Sequence, residues 1–295
     1  MYHFFMPNEE ELSQVIRSSL CGQDEITGIH TIKTGWTNIT MDAQGEKNSY
    51  IFRFPRNRFF ADMITKDCAF CSFVTGKTHI PVPKMALLFH QGRPFSCHVK
   101  IKGCALDQRM NQLSPDERNN IAADVALFLT DLHRLPPQSM PADIRESLND
   151  FLINLASVHN GDYDARFHQA FAQMEQNPIR ECIVHGDFHP GNILIDDDNR
   201  ICGIIDFAFA SLSDYHADLG RFVGRSEEKL AEAVIQAYQD MNHTVCDRSR
   251  IQTTVELFHY VEYKYVQYMQ ASHPEITIPD SVLQMSANYA KNCLV

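Results

Sequence analysis

The chain has 295 residues, of which 44% are hydrophobic and 21% are charged, a composition typical of a soluble globular protein. This composition excludes global disorder, collagen-like repeats and low-complexity fibres. No apolar run approaches the roughly 20 residues of a membrane-spanning helix, and no signal peptide is evident ahead of the acidic residues 9–11. We therefore expect a cytoplasmic protein that does not act at a membrane.

The net charge of −11 is unevenly distributed along the chain. Residues 1–97 hold 10 basic and 9 acidic side chains, whereas residues 98–295 hold 16 basic and 28 acidic ones. An acidic surface repels phosphate backbones, so we expect no nucleic-acid partner. A cationic small molecule bound by the C-terminal part would fit this asymmetry, although acidic residues also serve solubility alone.

The nine cysteines are odd in number and scattered, which indicates reduced thiols. Cys68 and Cys71 form one C-x-x-C pair, but a structural zinc site would need a second pair. Their spacing also fits one face of a helix, so we predict buried thiols here.

The first third of the chain is predicted to be rich in strands. An amphipathic helix over residues 9–20 comes first, because its apolar residues recur at helical spacing. The predicted strands, each bounded by turn residues, cover 29–33, 38–41, 49–54, 84–90 and 96–101, and a helix over 61–75 lies between the third and fourth.

The remainder is predicted to be mostly helical. Ser114, Pro115 and Glu117 provide an N-cap, a first-turn proline and a capping-box glutamate for a helix that runs to about Pro136. Further helices are predicted over 144–159, 165–176, 227–238 and 250–269, with short strands at 182–185, 193–195 and 201–205. The sequence therefore predicts an α+β protein with a small β-rich lobe, residues 1–97, and a mostly helical lobe, residues 98–295.

One segment carries residue types suited to phosphoryl transfer. The run H-G-D-F-H-P-G-N places Asp187 five residues before Asn192, and G-I-I-D-F places Asp206 fourteen residues later. A carboxylate can orient the attacking hydroxyl, while an amide oxygen and a second carboxylate can hold Mg²⁺ on nucleotide phosphates. The Asp-to-Asn spacing equals that of the protein-kinase catalytic loop, although Ala208 replaces the glycine of the kinase Asp-Phe-Gly motif.

These motifs resemble the aminoglycoside phosphotransferase family, within a wider group that includes macrolide phosphotransferases, choline kinases and homoserine kinases. Other segments resemble its 2″-aminoglycoside branch, in order, across roughly residues 28–223: Ile51–Arg56, Ile80–Pro83, Val99–Gly103, Leu127–His133 and Ile201–Phe207, continuing to Ser213, Asp214 and Asp218. The resemblance implies a two-lobe protein-kinase-like fold, with a small antiparallel β lobe, a mostly helical lobe and the nucleotide between them.

The resemblance also implies roles for individual residues. Asp187 corresponds to the catalytic base, and Asn192 and Asp206 correspond to the Mg²⁺ ligands. Arg53 stands where many relatives have the lysine that pairs with nucleotide phosphates. Its acidic partner is expected at Asp67, where many relatives have glutamate. An arginine can bind phosphate through two donors, so the longer base and shorter acid could preserve the pair.

Nucleotide contacts are expected from two further segments. The turn at residues 33–38 stands in place of a glycine-rich phosphate loop, and Trp36 within it could equally be a core residue. Val99, Lys100 and Ile101 are expected to offer backbone groups to the purine. Because backbone groups would make that contact, the sequence leaves ATP and GTP open as donors.

The acceptor side is less defined. Asp214 could brace the catalytic loop or face the substrate, and Glu262 is a candidate acceptor contact on a late helix, where a glutamate can also be merely solvated. Asp218 and His185 are expected to brace the catalytic loop. The role of His189 stays open.

The leading hypothesis is a Mg²⁺-dependent kinase that transfers the γ-phosphoryl group of ATP or GTP to a hydroxyl of a cationic aminoglycoside, an antibiotic-resistance activity. The alternatives are a kinase for a macrolide, an amino alcohol or a sugar, and a nucleotide-binding pseudokinase. Arg53 and Ala208 are the support for the pseudokinase, and the intact Asp187, Asn192 and Asp206 argue against it.

Overall fold

The protein is described from a computed structural model. The described residues are 8–20, 22–32, 37–148, 150–152 and 181–272, with positions 278, 280, 283, 284, 286 and 287. The turn at 33–36 with Trp36, the helix predicted over 165–176 and most of that predicted over 144–159 lie outside these residues.

Five antiparallel strands form one sheet in the order β1-β2-β3-β5-β4. The strands are β1 (Ile26–Ile32), β2 (Asn38–Gly45), β3 (Ser49–Pro55), β4 (Ala86–His90) and β5 (Arg93–Val99). Helix α1 (Glu9–Ser19), which begins in a capping box between Asn8 and Glu11, buries its apolar face against the same cluster as Phe52 and Phe95.

The hairpin between β4 and β5 explains why the fifth strand begins earlier than predicted. Gln91 and Gly92 both adopt positive φ, 49° and 74°, as a two-residue hairpin turn requires. Strand β5 therefore begins at Arg93 instead of Ser96, and it ends at Val99. The sheet thus extends two residues past the predicted lobe boundary.

Helix α2 (Arg58–Val74) follows β3 and begins where the Asn57 side chain accepts the Phe60 N–H. Its buried residues join the larger core of the protein, not the cluster under the sheet. Cys68 and Cys71 are buried reduced thiols on this helix, as predicted. Helix α2 therefore contributes to the larger core while it also packs against strands β3, β4 and β5 of the sheet.

The helical part surrounds two small sheets, one of β6, β8 and β9 and one of β7 and β10. Its elements are β6 (Cys104–Ala105), α3 (Pro115–Arg134), β7 (Glu181–Val184), β8 (Ile193–Ile195), β9 (Ile201–Ile204), β10 (Ser211–Asp214), α4 (His216–Val223), α5 (Glu228–Asn242) and α6 (Arg248–Ser272). Helix α3 begins with the predicted capping box of Ser114 and Glu117. None of the helices in the described part of the chain is long and apolar enough to cross a membrane.

Strand β10 was not predicted, and helix α4 was predicted only as part of a mostly helical remainder without bounds, because the sequence offers no clear start signal for either. Strand β10 has four residues, of which three are polar. Tyr215, the N-cap of α4, makes no side-chain capping hydrogen bond. Helix α4 instead depends on packing against α6, where Gly220 approaches Thr254 so closely that a Cβ atom would lie 2.4 Å from the Thr254 Cβ.

We expect Gly220→Ala to destabilise the protein by about 1–3 kcal/mol, since overpacking forces the two helices apart. Gly224→Ala is the matched control, because a Cβ there would meet its nearest neighbour, Val255 Cγ1, at 3.3 Å. Chemical denaturation of the two variants measures the difference. Equal stabilities would show that α4 and α6 separate at little cost.

Candidate active site

A cavity of about 580 Å³ lies between the five-stranded sheet and the helical part. It is lined by side chains from the sheet, from the segment between β7 and β8, from the residues after β9, and from α4 and α6. The predicted site residues that line it are Arg53, Lys100, Ile101, Asp187, Asn192, Asp206 and Glu262.

The backbone of the loop that carries Asp187 is held by hydrogen bonds to Asp218. The fully buried Asp218 carboxylate accepts the backbone N–H groups of His185 at 2.8 Å and Gly186 at 2.9 Å. His133 lies 3.1 Å from the same carboxylate, and the ring of His185 lies 3.1 Å from the Ile205 carbonyl oxygen. Asp218 and His185 therefore brace this loop, as predicted.

Two positions in the site have left-handed backbone conformations. Gly186 has φ +78°, and a Cβ atom there would lie 2.2 Å from the Phe209 carbonyl oxygen, so no other residue fits. Asp206 has φ +67° without being glycine. Such strain persists where the surrounding structure enforces it and concentrates at functional sites.

Asn192 is oriented by the loop itself. Its amide nitrogen donates to the Asp187 carbonyl oxygen at 2.9 Å and lies 3.4 Å from Asp187 Oδ2. With the nitrogen engaged in this way, the side-chain oxygen is the group that Asn192 can offer to a ligand. His189 Nδ1 accepts the Gly191 N–H, and His189 Nε2 lies 3.7 Å from Asp187 Oδ2.

Arg53 forms the ion pair that the sequence left open. Its Nη1 lies 2.5 Å from Asp67 Oδ2 and its Nη2 lies 3.2 Å from Asp206 Oδ1. Asp67 is fully buried and also accepts the Phe207 N–H at 3.0 Å. Burial alone would lower the pKa of Arg53, but Asp206 and Asp67 outweigh it, so this pKa lies above its ordinary value and the guanidinium stays charged.

The donor set of Asp206 and Asn192 fits a hard cation. One oxygen of Asp206 is held by Arg53, and the side chain remains 39% exposed at the cavity. No cluster of three or more His, Cys, Asp or Glu side chains suited to a metal occurs within the described residues. Two oxygen ligands from the protein, completed by phosphates and water, are the usual environment of Mg²⁺.

Arg221 is the residue that sequence reasoning missed. From α4, its Nε donates to Asp187 Oδ1 at 2.8 Å and its Nη2 lies 2.8 Å from Glu262 Oε1. Arg225 lies 3.4 Å from the same Glu262 oxygen. A lone arginine in the apolar run Leu219–Val223 was the available signal, because an ionised side chain is buried only with a partner.

These contacts determine the charge states of Asp187 and Glu262. Burial alone would raise the pKa of Asp187, but Arg221 and then His189 oppose it, and the pKa lies well below its ordinary value. Burial acts in the same direction on Glu262, and Arg221 and Arg225 again lower its pKa. Both carboxylates are therefore ionised, and each is already paired with an arginine.

Asp214 does not belong to the cavity. It is 4% exposed, and its carboxylate binds His216 through one oxygen and Arg250 Nη1, at 3.0 Å, through the other. Asp214 thus joins β10 to α4 and α6. The expectation that it faces the substrate is corrected, because both of its oxygens are committed inside the protein.

The segment expected to meet the purine is only partly available. The backbone N–H of Lys100 donates to the Ser49 carbonyl oxygen at 2.8 Å. This N–H is therefore not free to donate to a purine, contrary to the expectation from the sequence. Val99 is 53% exposed and lies outside the cavity lining. His98, which sequence reasoning did not single out, lines the cavity, and burial followed by the charge of Arg53 lowers its pKa to about 4.

We expect Asp218→Asn to destabilise the protein by about 1–3 kcal/mol, because the amide would leave a buried backbone N–H of the loop without an acceptor. Asp143→Asn, an exposed aspartate, is the control and should change stability by less than about 0.5 kcal/mol. Thermal and denaturant unfolding measure both. An unaltered Asp218→Asn variant would mean that the loop does not depend on this carboxylate.

Comparison with known proteins shows which solved structures share this fold. The GDP complex of wild-type aminoglycoside 2'-phosphotransferase-IIIa aligns with a TM-score of 0.74 at 17% identity, over 97% of this chain and 99% of that chain. The gentamicin–APH(2″)-IIa complex aligns with a TM-score of 0.65 at 15% identity, over 96% and 97%. Macrolide 2'-phosphotransferase MphH from Brachybacterium faecium, as the apoenzyme, aligns with a TM-score of 0.65 at 14% identity, over 95% and 98%.

These likenesses confirm the predicted two-lobe, kinase-like α+β fold. The profile of the family described as "Phosphotransferase enzyme family" matches residues 28–251, a span that holds the sheet, the Asp187 loop, Asp206 and Arg221. With three quarters of its length matched, the chain belongs to the phosphotransferase enzyme family.

Proposed function

We propose that this phosphotransferase moves the γ-phosphoryl group of a nucleoside triphosphate to a hydroxyl of an aminoglycoside, with Mg²⁺ as cofactor. The observation that carries the proposal is the convergence of Arg53, Asp187, Asn192 and Asp206 on one cavity. These four side chains come from the sheet, the loop after β7 and the residues after β9, and they provide each residue type that phosphoryl transfer requires.

Each of these residues has a part in the proposed reaction. Arg53 binds the phosphates of the nucleotide through its guanidinium, which Asp67 holds in place. Asp206 and Asn192 hold Mg²⁺, which neutralises charge on the phosphates as they react. Asp187 orients the acceptor hydroxyl and accepts its proton. Against the effect of burial, Arg221 and His189 lower the pKa of Asp187, so its carboxylate is ionised and can accept a hydrogen bond from the acceptor hydroxyl.

The donor is proposed to be ATP or GTP. Structural relatives contain GDP, ATP and ADP, and each is less than 20% identical to this chain, so they support nucleotide binding without selecting the base. Near the end of β5, His98 within the strand and Ile101 just after it line the cavity. We keep both nucleotides as donors to be compared directly.

The aminoglycoside acceptor is supported by two observations. Structural relatives include complexes with kanamycin and gentamicin, and residues 98–295 carry a large acidic excess. The cavity itself contributes less negative charge than the acidic excess of the sequence suggested. Asp187 and Glu262 are balanced there by Arg221 and Arg225, so attraction of a cation has to come from outside this cluster.

A macrolide is the second candidate acceptor. The wall beside Asp187 includes Phe209, Phe258 and Val261, an apolar surface that suits a large ring with few charges. The macrolide 2'-phosphotransferase from Brachybacterium faecium shares the fold. The pseudokinase alternative has less support, because Arg53 makes with Asp67 the ion pair that the resemblance implies for the lysine of many relatives.

Nucleotide turnover with a panel of acceptors tests the proposal. We expect kanamycin or gentamicin to stimulate turnover of ATP or GTP in the presence of Mg²⁺, and Asp187→Asn to lower kcat by at least about 100-fold, as loss of a general base does. Nucleotide affinity should be unchanged in this variant, because Asp187 faces the acceptor.

Asp143→Asn is the control and should retain full turnover. Stimulation by a macrolide or by a small amino alcohol, with none by an aminoglycoside, would leave the phosphotransferase assignment and replace the acceptor. Near-normal turnover by a folded Asp187→Asn variant would remove the base from this position.

The metal assignment predicts unequal effects of its two ligands. Asp206→Ala should abolish the Mg²⁺-dependent gain in nucleotide affinity more completely than Asn192→Ala, because a carboxylate supplies charge and an amide only a dipole. Without Mg²⁺, nucleotide affinity of Asp206→Ala should not fall, since the variant removes a negative charge near the phosphates. Calorimetry with and without Mg²⁺ measures both effects, and an intact Mg²⁺ dependence in Asp206→Ala would contradict the assignment.

A further inference from the structure

Glu262 and Arg221 form a chain of ion pairs that ends on the catalytic carboxylate. Glu262 on α6 contacts Arg221 on α4, and Arg221 contacts Asp187 Oδ1, each at 2.8 Å. The Arg221 side chain is 7% exposed and Glu262 is 12% exposed, while the guanidinium carbon of Arg221 lies 5.0 Å from the centre of the Phe258 ring. Arg221 is therefore held on three sides and has little freedom to move.

This arrangement leaves a single orientation for the Asp187 carboxylate. Oδ1 is occupied by Arg221, so Oδ2, which has His189 at 3.7 Å and Asn192 at 3.4 Å, is the oxygen that can meet an acceptor hydroxyl. A planar guanidinium fixes the angle of a bound carboxylate better than an ammonium does. The rotamer of the base thus depends on α4 and, through Glu262, on α6.

We infer that Arg221 and Glu262 are positioning residues for Asp187, and that Glu262 acts on the reaction through Arg221 instead of binding the acceptor. This inference rests on the proposed function. It reverses the expectation from the sequence, in which Glu262 is an acceptor contact whose loss would mainly raise the acceptor KM.

Kinetics of three variants separate the two roles. Glu262→Gln keeps the shape of the side chain, and Arg221→Lys keeps a cation but loses the planar fork. Arg221→Met removes the charge. We expect each to lower kcat, by about 10- to 100-fold for Arg221→Met, the cost of a misplaced catalytic group, with acceptor KM and nucleotide affinity within about twofold of the wild type.

Arg200→Met is the matched control, because Arg200 also binds a carboxylate, that of Asp124, but on the exposed surface. Coupling provides a stricter test. In an Asp187→Asn background, Glu262→Gln and Arg221→Lys should cause little further loss of kcat, since the group that they position is already gone.

A structural measurement that does not depend on turnover distinguishes failure of this inference from failure of the proposed function. Crystal structures of the wild type and of Arg221→Met, compared at the Asp187 carboxylate, provide it. In Arg221→Met the carboxylate should leave the orientation seen here, because Oδ1 has lost the Arg221 donor.

An acceptor KM that rises about tenfold in Glu262→Gln, with kcat unchanged, would overturn the inference by making Glu262 an acceptor contact. Unchanged kcat in both Glu262→Gln and Arg221→Lys would also overturn it, and these two variants carry the test if Arg221→Met does not fold. If no acceptor stimulates the wild type, the proposed function fails, while an Asp187 carboxylate that keeps its orientation in Arg221→Met would still count against the ion-pair chain.

Discussion

The geometry of the active site depends on the buried carboxylate of Asp218. It accepts two consecutive backbone N–H groups at the end of β7 and contacts His133 on α3, so it fixes the path of the chain just before Asp187. An uncompensated carboxylate would be very costly in this interior, and here three donors compensate it. The loop is therefore held by contacts within the protein, and the positions of Asp187 and Asn192 follow from its path.

A second consequence of Asp218 is the placement of Arg221. Both lie on α4 three residues apart, so they face the same side of the helix. The Asp218 carboxylate accepts backbone N–H groups of the Asp187 loop, and the Arg221 guanidinium donates to the Asp187 side chain. One helix of eight residues thus contacts the backbone of the Asp187 loop through Asp218 and the Asp187 side chain through Arg221.

Much of this could be predicted from the sequence, because the decisive signals are local. The strand pattern, the Ser114 capping box and the spacing of Asp187, Asn192 and Asp206 are properties of short segments. Arg221 was not singled out and the role of Asp214 was left open, because their roles depend on partners far along the chain. Asp214 is paired with Arg250, and Arg221 with Asp187 and Glu262, and no local pattern specifies such pairs.

The net charge of a lobe likewise proved a poor guide to the charge inside the cavity. The acidic excess of residues 98–295 is a sum over that whole part of the chain. In the cavity, by contrast, the carboxylates of Asp187 and Glu262 are matched in number by the ion-paired Arg221 and Arg225. Long-range attraction and short-range recognition are therefore separate properties here. The first depends on salt, and the second depends on the shape and hydrogen bonding of the wall.

Helix α2 connects the two walls of the cavity. Its apolar residues Phe60, Met63 and Phe70 lie in the larger core, while its Asp67 binds Arg53 on the sheet and accepts the backbone N–H of Phe207, next to Asp206. Loss of the Asp67 carboxylate would therefore disturb both walls at once, because Arg53 would lose its partner and the Phe207 N–H its acceptor.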